Sequence, residues 1–195
     1  MMVTSTLRTE KKKGGELGPW VNTGLFKQVW KAIGASATYK KYDWTVKADP
    51  DAVFLPARLK PRLRWMMRPM NGLILTNCRH VDYGFFGNLE VFSSMAFSIL
   101  VANVDKCSDT LPWKVGIKNG KYGPMGEDLF AEICLEKNGV SKADAFDITI
   151  DGDRPYDQIE NKHWQFGCDK TSAAAMHPFK KPWEWFACYS KTIGE

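Results

Sequence analysis

Two short apolar runs, Trp44 to Ala48 and Ala52 to Leu55, are separated only by Asp49-Pro50-Asp51. The first run reads as a strand, so the carboxylates fall where a buried element ends. Two carboxylates that close repel and raise each other's proton affinity unless something positive sits between them, and a divalent metal ion is the simplest such group. The stretch therefore asks for a metal. Asp-Pro-Asp is also ordinary turn vocabulary, and a plain Pro-containing turn accounts for the same residues.

The surrounding pattern alternates strands with helices. Thr23 is a candidate N-cap for a helix in which Leu25, Phe26, Val29, Trp30 and Ile33 recur at helical spacing until Gly34. Trp44 to Asp49 is a strand, and Pro56 opens a second helix with Leu59, Leu63, Trp65 and Met66, which Pro61 is expected to kink or split. Gly72 to Asn77 and Phe85 to Phe92 read as strands, the latter running into a helix capped by Ser93 or Ser94 that extends to about Asp105. Lys106 to Pro124 is loop-rich. Glu127 to Asn138 is a helix stopped by Gly139, with Leu129, Ile133, Cys134 and Leu135 inward, and Ala145 to Ile150 a strand. A long polar loop leads to the alanine run before His177 and to a last, Trp-rich helix near Trp183 to Ser190. Such alternation defines the α/β class. No internal repeat or linker stands out.

Residues 1 to 19 are polar and aperiodic, a tail or extended arm, and 20 to 195 are expected to form one domain, since 195 residues with 44% hydrophobic composition suffice for one ordinary core. The net charge of +5 is spread, with one compact cluster at Lys11-Lys12-Lys13 and a looser one at Arg58, Lys60, Arg62, Arg64 and Arg68. Small anionic ligands or acidic surfaces suit this better than a nucleic-acid groove, which needs a longer basic stripe. No run reaches the roughly 20 apolar residues of a membrane span, and the N-terminus lacks the apolar core of a secretory signal. The five cysteines lack paired CxxC spacing, which argues against a zinc knuckle, leaves disulfides open and leaves the compartment unassigned.

Two further constellations have chemical potential. Glu127 and Asp128 open a helix, where carboxylates suit the exposed amides and the macrodipole for stability alone. Either is also placed to act as a general base toward a hydroxyl. His177 ends a small-residue strand and is a candidate third metal ligand, with Lys180 three residues on a candidate phosphate partner. A lone histidine is more often just a satisfied polar group. His80 and His163 have no partner spacing and receive no role. A phosphohydrolase using the same two aspartates lacks the additional acidic or histidine clusters such enzymes need.

Taken in order, these pieces resemble GT-A glycosyltransferases of the Fringe and β-galactosyltransferase-like group. Asp43-Trp44-Thr45-Val46-Lys47-Ala48-Asp49-Pro50-Asp51 looks like their DxD metal motif, with an aromatic, an aliphatic and a lysine before the acidic cluster. Gly87-Asn88-Leu89-Glu90-Val91-Phe92-Ser93 is similar to their acceptor-side strand, Gly126-Glu127-Asp128 through Gly139-Val140 to their Glu-Asp helix, and Ala175-Met176-His177-Pro178-Phe179-Lys180 to their late histidine segment.

The resemblance implies a Rossmann-like mixed sheet flanked by helices and a hexosyltransferase that passes a sugar from a nucleotide sugar to an acceptor hydroxyl, with inversion. It implies Mn²⁺ or Mg²⁺ held by Asp49, Asp51 and His177, with Asp51 in direct contact and Asp49 toward the ribose or the metal through water. Asp128 or Glu127 would take the acceptor proton, and Lys180 would meet the diphosphate. Only about forty residues precede Trp44, so the N-terminal βαβ region of the family is expected to be missing. That truncation implies a second possibility, a non-catalytic GT-A-like accessory subunit whose protein partners cover the missing half, with Trp183, Trp185 and Phe186 as anchors.

Overall fold

The computed structural model describes residues 10–13, 20–79, 84–110, 114–116, 122–124, 126–151, 168 and 172–194. The fold is mixed α/β, with strands and helices alternating along the chain. The chain divides into two compact units: residues 1–45, 70–73 and 92–141, and residues 46–69, 74–91 and 142–195. A four-stranded sheet, in the order β3 (Trp44–Ala48), β6 (Leu89–Ser93), β5 (Leu73–Thr76) and β9 (Ser141–Asp144), contributes residues to each.

The first unit is mainly helical. Helices α1 (Thr23–Ser36), α3 (Ser94–Thr110) and α4 (Glu127–Lys137) pack together, with Trp30 fully buried and stacked on Phe130 at 6.0 Å. Cys107 and Cys134 form a disulfide between α3 and α4. Asn22, not Thr23, is the N-cap residue of α1, and its Oδ1 accepts from the Glu127 amide at 3.2 Å. Gly34 does not stop α1. A Cβ there would overlap Val101 of α3, so the glycine serves helix contact, and the helix ends two residues later at Ser36, with Ala37 as its C-cap in the left-handed region. Ser93 does cap α3: its Oγ accepts from the amides of Ala96 at 3.2 Å and Leu73 at 2.9 Å. That helix runs to Thr110, past the expected end at Asp105. Within the expected loop region, β7 (Lys114–Gly116) and β8 (Tyr122–Pro124) pair as an antiparallel hairpin. In the N-terminal arm, β1 (Glu10–Lys13) pairs antiparallel with β2 (Trp20–Val21); the rest of 1–19 lies outside the described residues.

The second unit holds a three-stranded sheet in the order β10 (Thr149–Asp151), β11 (Ala175–His177), β4 (Val53–Phe54). β11 runs parallel to β10 and antiparallel to β4, so the sheet is mixed. Expected strand bounds shift here. Phe85–Phe92 narrows to β6, and of Ala145–Ile150 only Thr149 and Ile150 are strand, in β10, while β9 lies just before that stretch. Pro61 does not split α2 (Pro56–Arg64), which runs through it for nine residues. Val53, Leu55, Met176, Phe179 and the Cys168–Cys188 disulfide form a core cluster against α5 (Pro182–Ile193). Trp185, expected as an exposed anchor, instead packs on that core and donates its Nε1 hydrogen to Ala52 O at 2.9 Å. Trp183 and Phe186 do face water. The polar loop after Asp151 and His163 lie outside the described residues.

Candidate metal centre

Local geometry begins with the turn. The Ala52 amide donates to Asp49 O at 3.0 Å, closing a four-residue turn with Pro50 at its second position, where its fixed φ fits. The turn explanation and the metal explanation of Asp-Pro-Asp are thus compatible, because the turn itself gathers the two carboxylates.

Strand register brings the rest. Val53 pairs with Met176 across an antiparallel ladder, which carries Asp51 alongside the residues after His177, and the Phe179 amide donates to Asp51 O at 2.8 Å. The Asp51 carboxylate then lies between His177, whose Nε2 is 3.4 Å from Oδ1, and Lys180, whose Nζ contacts Oδ2. One ligand atom from each of Asp49, Asp51 and His177 falls within 4.8 Å of the others, a grouping that can hold a cation.

The parallel ladder adds a residue that sequence reasoning missed. Asp151 is the register partner of His177 on β10, is 1% exposed, and its Oδ2 lies 3.1 Å from His177 Nδ1. The same oxygen accepts from Asn88 Nδ2 at 3.0 Å, and Asn88 also donates to Thr149 Oγ1 at 2.8 Å. Asn88 is held in turn by Asn77, whose Nδ2 donates to Asn88 Oδ1 at 2.9 Å. A carboxylate at a strand end was the available signal for Asp151, the same one that drew attention to Asp49.

Lys47, two residues before Asp49 and on its face of the strand, bridges three acceptors: Asp49 Oδ1 at 2.7 Å, Glu90 Oε1 at 3.1 Å and Gly87 O at 2.7 Å. Glu90 is fully buried, so this ammonium offsets a charge that would otherwise be costly there.

Three features of the donor set fit a divalent cation. Asp151 accepts only, so the proton between it and His177 sits on Nδ1, and a neutral imidazole then turns the Nε2 lone pair toward Asp51. Two acceptors face each other at 3.4 Å, a gap that either a second proton or a metal ion bridges. Carboxylate support of the distal nitrogen is also the usual second layer behind a metal-binding histidine. Finally, among these groups four carboxylates, Asp49, Asp51, Asp151 and Glu90, meet two ammonium groups, Lys47 and Lys180, leaving a formal balance of two negative charges.

Burial pushes the Asp51 carboxyl up, but the hydrogen bond from Lys180, the charge of His177 when its ring is protonated and the charge of Lys180 outweigh it and hold the group below its ordinary value of 3.8. Asp51 is therefore ionised and ready as a ligand at neutral pH.

Glu127 and Asp128 belong to the other unit, in the first turn of α4. Glu127 is buried, whereas Asp128 is partly exposed and its Oδ1 accepts from the Leu129 amide at 2.8 Å. No helix among the described residues is long and apolar enough to cross a membrane. Compared with models of known protein families and with curated proteins, the chain matches none.

Proposed function

We propose that this chain is a metal-dependent glycosyltransferase of the GT-A kind, transferring a sugar from a nucleotide sugar to an acceptor hydroxyl. The observation that supports this most is the convergence of Asp49, Asp51 and His177 within 4.8 Å, at a turn and a strand end separated by 126 residues of sequence, 177 less 51. These three residues would hold Mn²⁺ or Mg²⁺, which neutralises the charge that builds on a departing diphosphate.

The chain's own side chains have separable tasks. Asp151 fixes the tautomer and ring orientation of His177, and Asn88 fixes Asp151. Lys47 keeps Asp49 in place, where its second oxygen is available to a ribose hydroxyl or to metal-bound water. Lys180 is largely exposed and is able to exchange Asp51 for a phosphate oxygen. The general-base role suggested by the resemblance suits partly exposed Asp128 better than buried Glu127. Both residues lie in the other unit, so the resemblance alone carries that role.

Calorimetric titration of Mn²⁺ with UDP or GDP tests the reading. Metal-dependent nucleotide binding that Asp51→Asn abolishes is the expected result, and heat-silent titrations across nucleotides overturn it.

The Lys180–Asp51 contact supports a second reading, in which an internal ammonium replaces the cation and the chain is a non-catalytic GT-A-like accessory subunit. Such a protein is indifferent to Asp51→Asn in metal and nucleotide titrations and co-purifies with its partners.

A further inference from the structure

We propose that the segment following α2 docks this chain onto an anionic lipid surface, Trp65 and Met67 entering the interface while Lys60, Arg64 and Arg68 meet the headgroup phosphates. Between Asp51 and Asp82 the sequence has no acidic residue and six basic ones, Arg58, Lys60, Arg62, Arg64, Arg68 and Arg79.

Two of these anchor the helix. Arg58 donates to Ala173 O at 3.2 Å and Thr192 O at 2.7 Å, and Arg62 donates to Ser172 O at 2.8 Å and pairs with Asp147 at 2.7 Å. With Leu59 and Leu63 buried beneath, α2 is a fixed base. Past Leu63 the chain turns outward. Trp65 is 81% exposed and Met67 88%, flanked by exposed Arg64 and Arg68, and the Arg64 guanidinium lies 5.3 Å over the Trp65 ring. A cation and an indole are thus presented together, the pairing that partitions to a membrane–water boundary.

Size favours lipid over protein. Two such side chains offer on the order of 300 Å² of apolar contact, well short of the roughly 800 Å² per partner of a specific protein interface. A bilayer needs no shaped counterpart, accepts projecting aromatic and thioether groups, and collects basic side chains on its anionic face.

The test is co-sedimentation of the full chain with vesicles of phosphatidylcholine alone or with about a third phosphatidylserine. Retention on the anionic vesicles that falls with added salt is expected, with weak retention on phosphatidylcholine. Arg64→Gln with Arg68→Gln should weaken it about 25-fold, near fivefold per basic group. Trp65→Ser with Met67→Ser should release the protein as well, and both variants should melt with the wild type because all four side chains face water. Equal retention on the two vesicle types overturns the proposal. So does loss with the arginine pair but not the apolar pair, which marks a purely electrostatic surface for nucleic acid or acidic protein. A dimer of the wild type on size exclusion that Trp65→Ser with Met67→Ser dissociates assigns the patch to a second copy instead.

Discussion

Replacing Asp151 probes the arrangement of the centre without touching a proposed ligand. Its buried Oδ2 accepts from His177 Nδ1 at 3.1 Å and Asn88 Nδ2 at 3.0 Å, so Asp151→Ala leaves two donors without their acceptor. Each orphaned donor costs about 1–3 kcal/mol. Asn88 is fully buried and His177 keeps some access to water, which puts the sum at about 2–4 kcal/mol. At roughly 2–4 °C per kcal/mol for a chain of this length, melting should fall by about 4–16 °C. Asp151→Asn keeps the shape and one acceptor oxygen, giving up the charge, and should cost only about 1 kcal/mol. In both variants His177 is no longer held by a carboxylate, and Mn²⁺ affinity should drop about 10–100-fold. Calorimetric melts of the metal-free proteins and Mn²⁺ titrations measure the two effects separately. An Asp151→Ala protein that melts with the wild type and binds Mn²⁺ equally well refutes the reasoning.

Three other outcomes are expected. Because the folded-state pKa of Asp51 is depressed, its contribution to stability is present above pH 3.8 and is lost as pH falls through the lower folded value. Acid unfolding of metal-free Asp51→Asn should therefore be shallower than wild type over that range, and parallel curves would contradict it. Gly72 has φ +84°, and a Cβ there would lie 2.7 Å from Ala96 N, so Gly72→Ala should destabilise by at least about 2 kcal/mol in denaturant titration. Paired serines at Cys107 and Cys134, which close a loop of 27 residues of separation, should cost about 3 kcal/mol by the same measurement.

Local chemistry made much of this legible in the sequence. The turn at Asp49-Pro50-Asp51, the Ser93 cap and the helix opened by Glu127 each depend on residues within a few positions of one another. His177 was readable as a strand-end imidazole. Asp151 carried the same strand-end signal, but its role exists only once β10 and β11 align in register, a pairing across 26 residues of sequence. Lys180 was read as a phosphate partner, and its contact with Asp51 depends on the equally non-local pairing of β4 with β11. Trp185 misled for a related reason: helical spacing marks a face, but the core lying under α5 decides which face is inward. Gly34 looked like a helix stop, yet its small size answers to Val101 on another helix.

The central claim is that Asp49, Asp51 and His177 form one divalent-cation site. Electron paramagnetic resonance of Mn²⁺ added to the wild type, Asp51→Asn and His177→Ala proteins tests it most directly, since bound and free Mn²⁺ give distinct signals. One bound ion per wild-type chain, weakened in both variants, is the expected result. A wild-type chain that leaves Mn²⁺ free, or variants that bind it unchanged, would contradict the account.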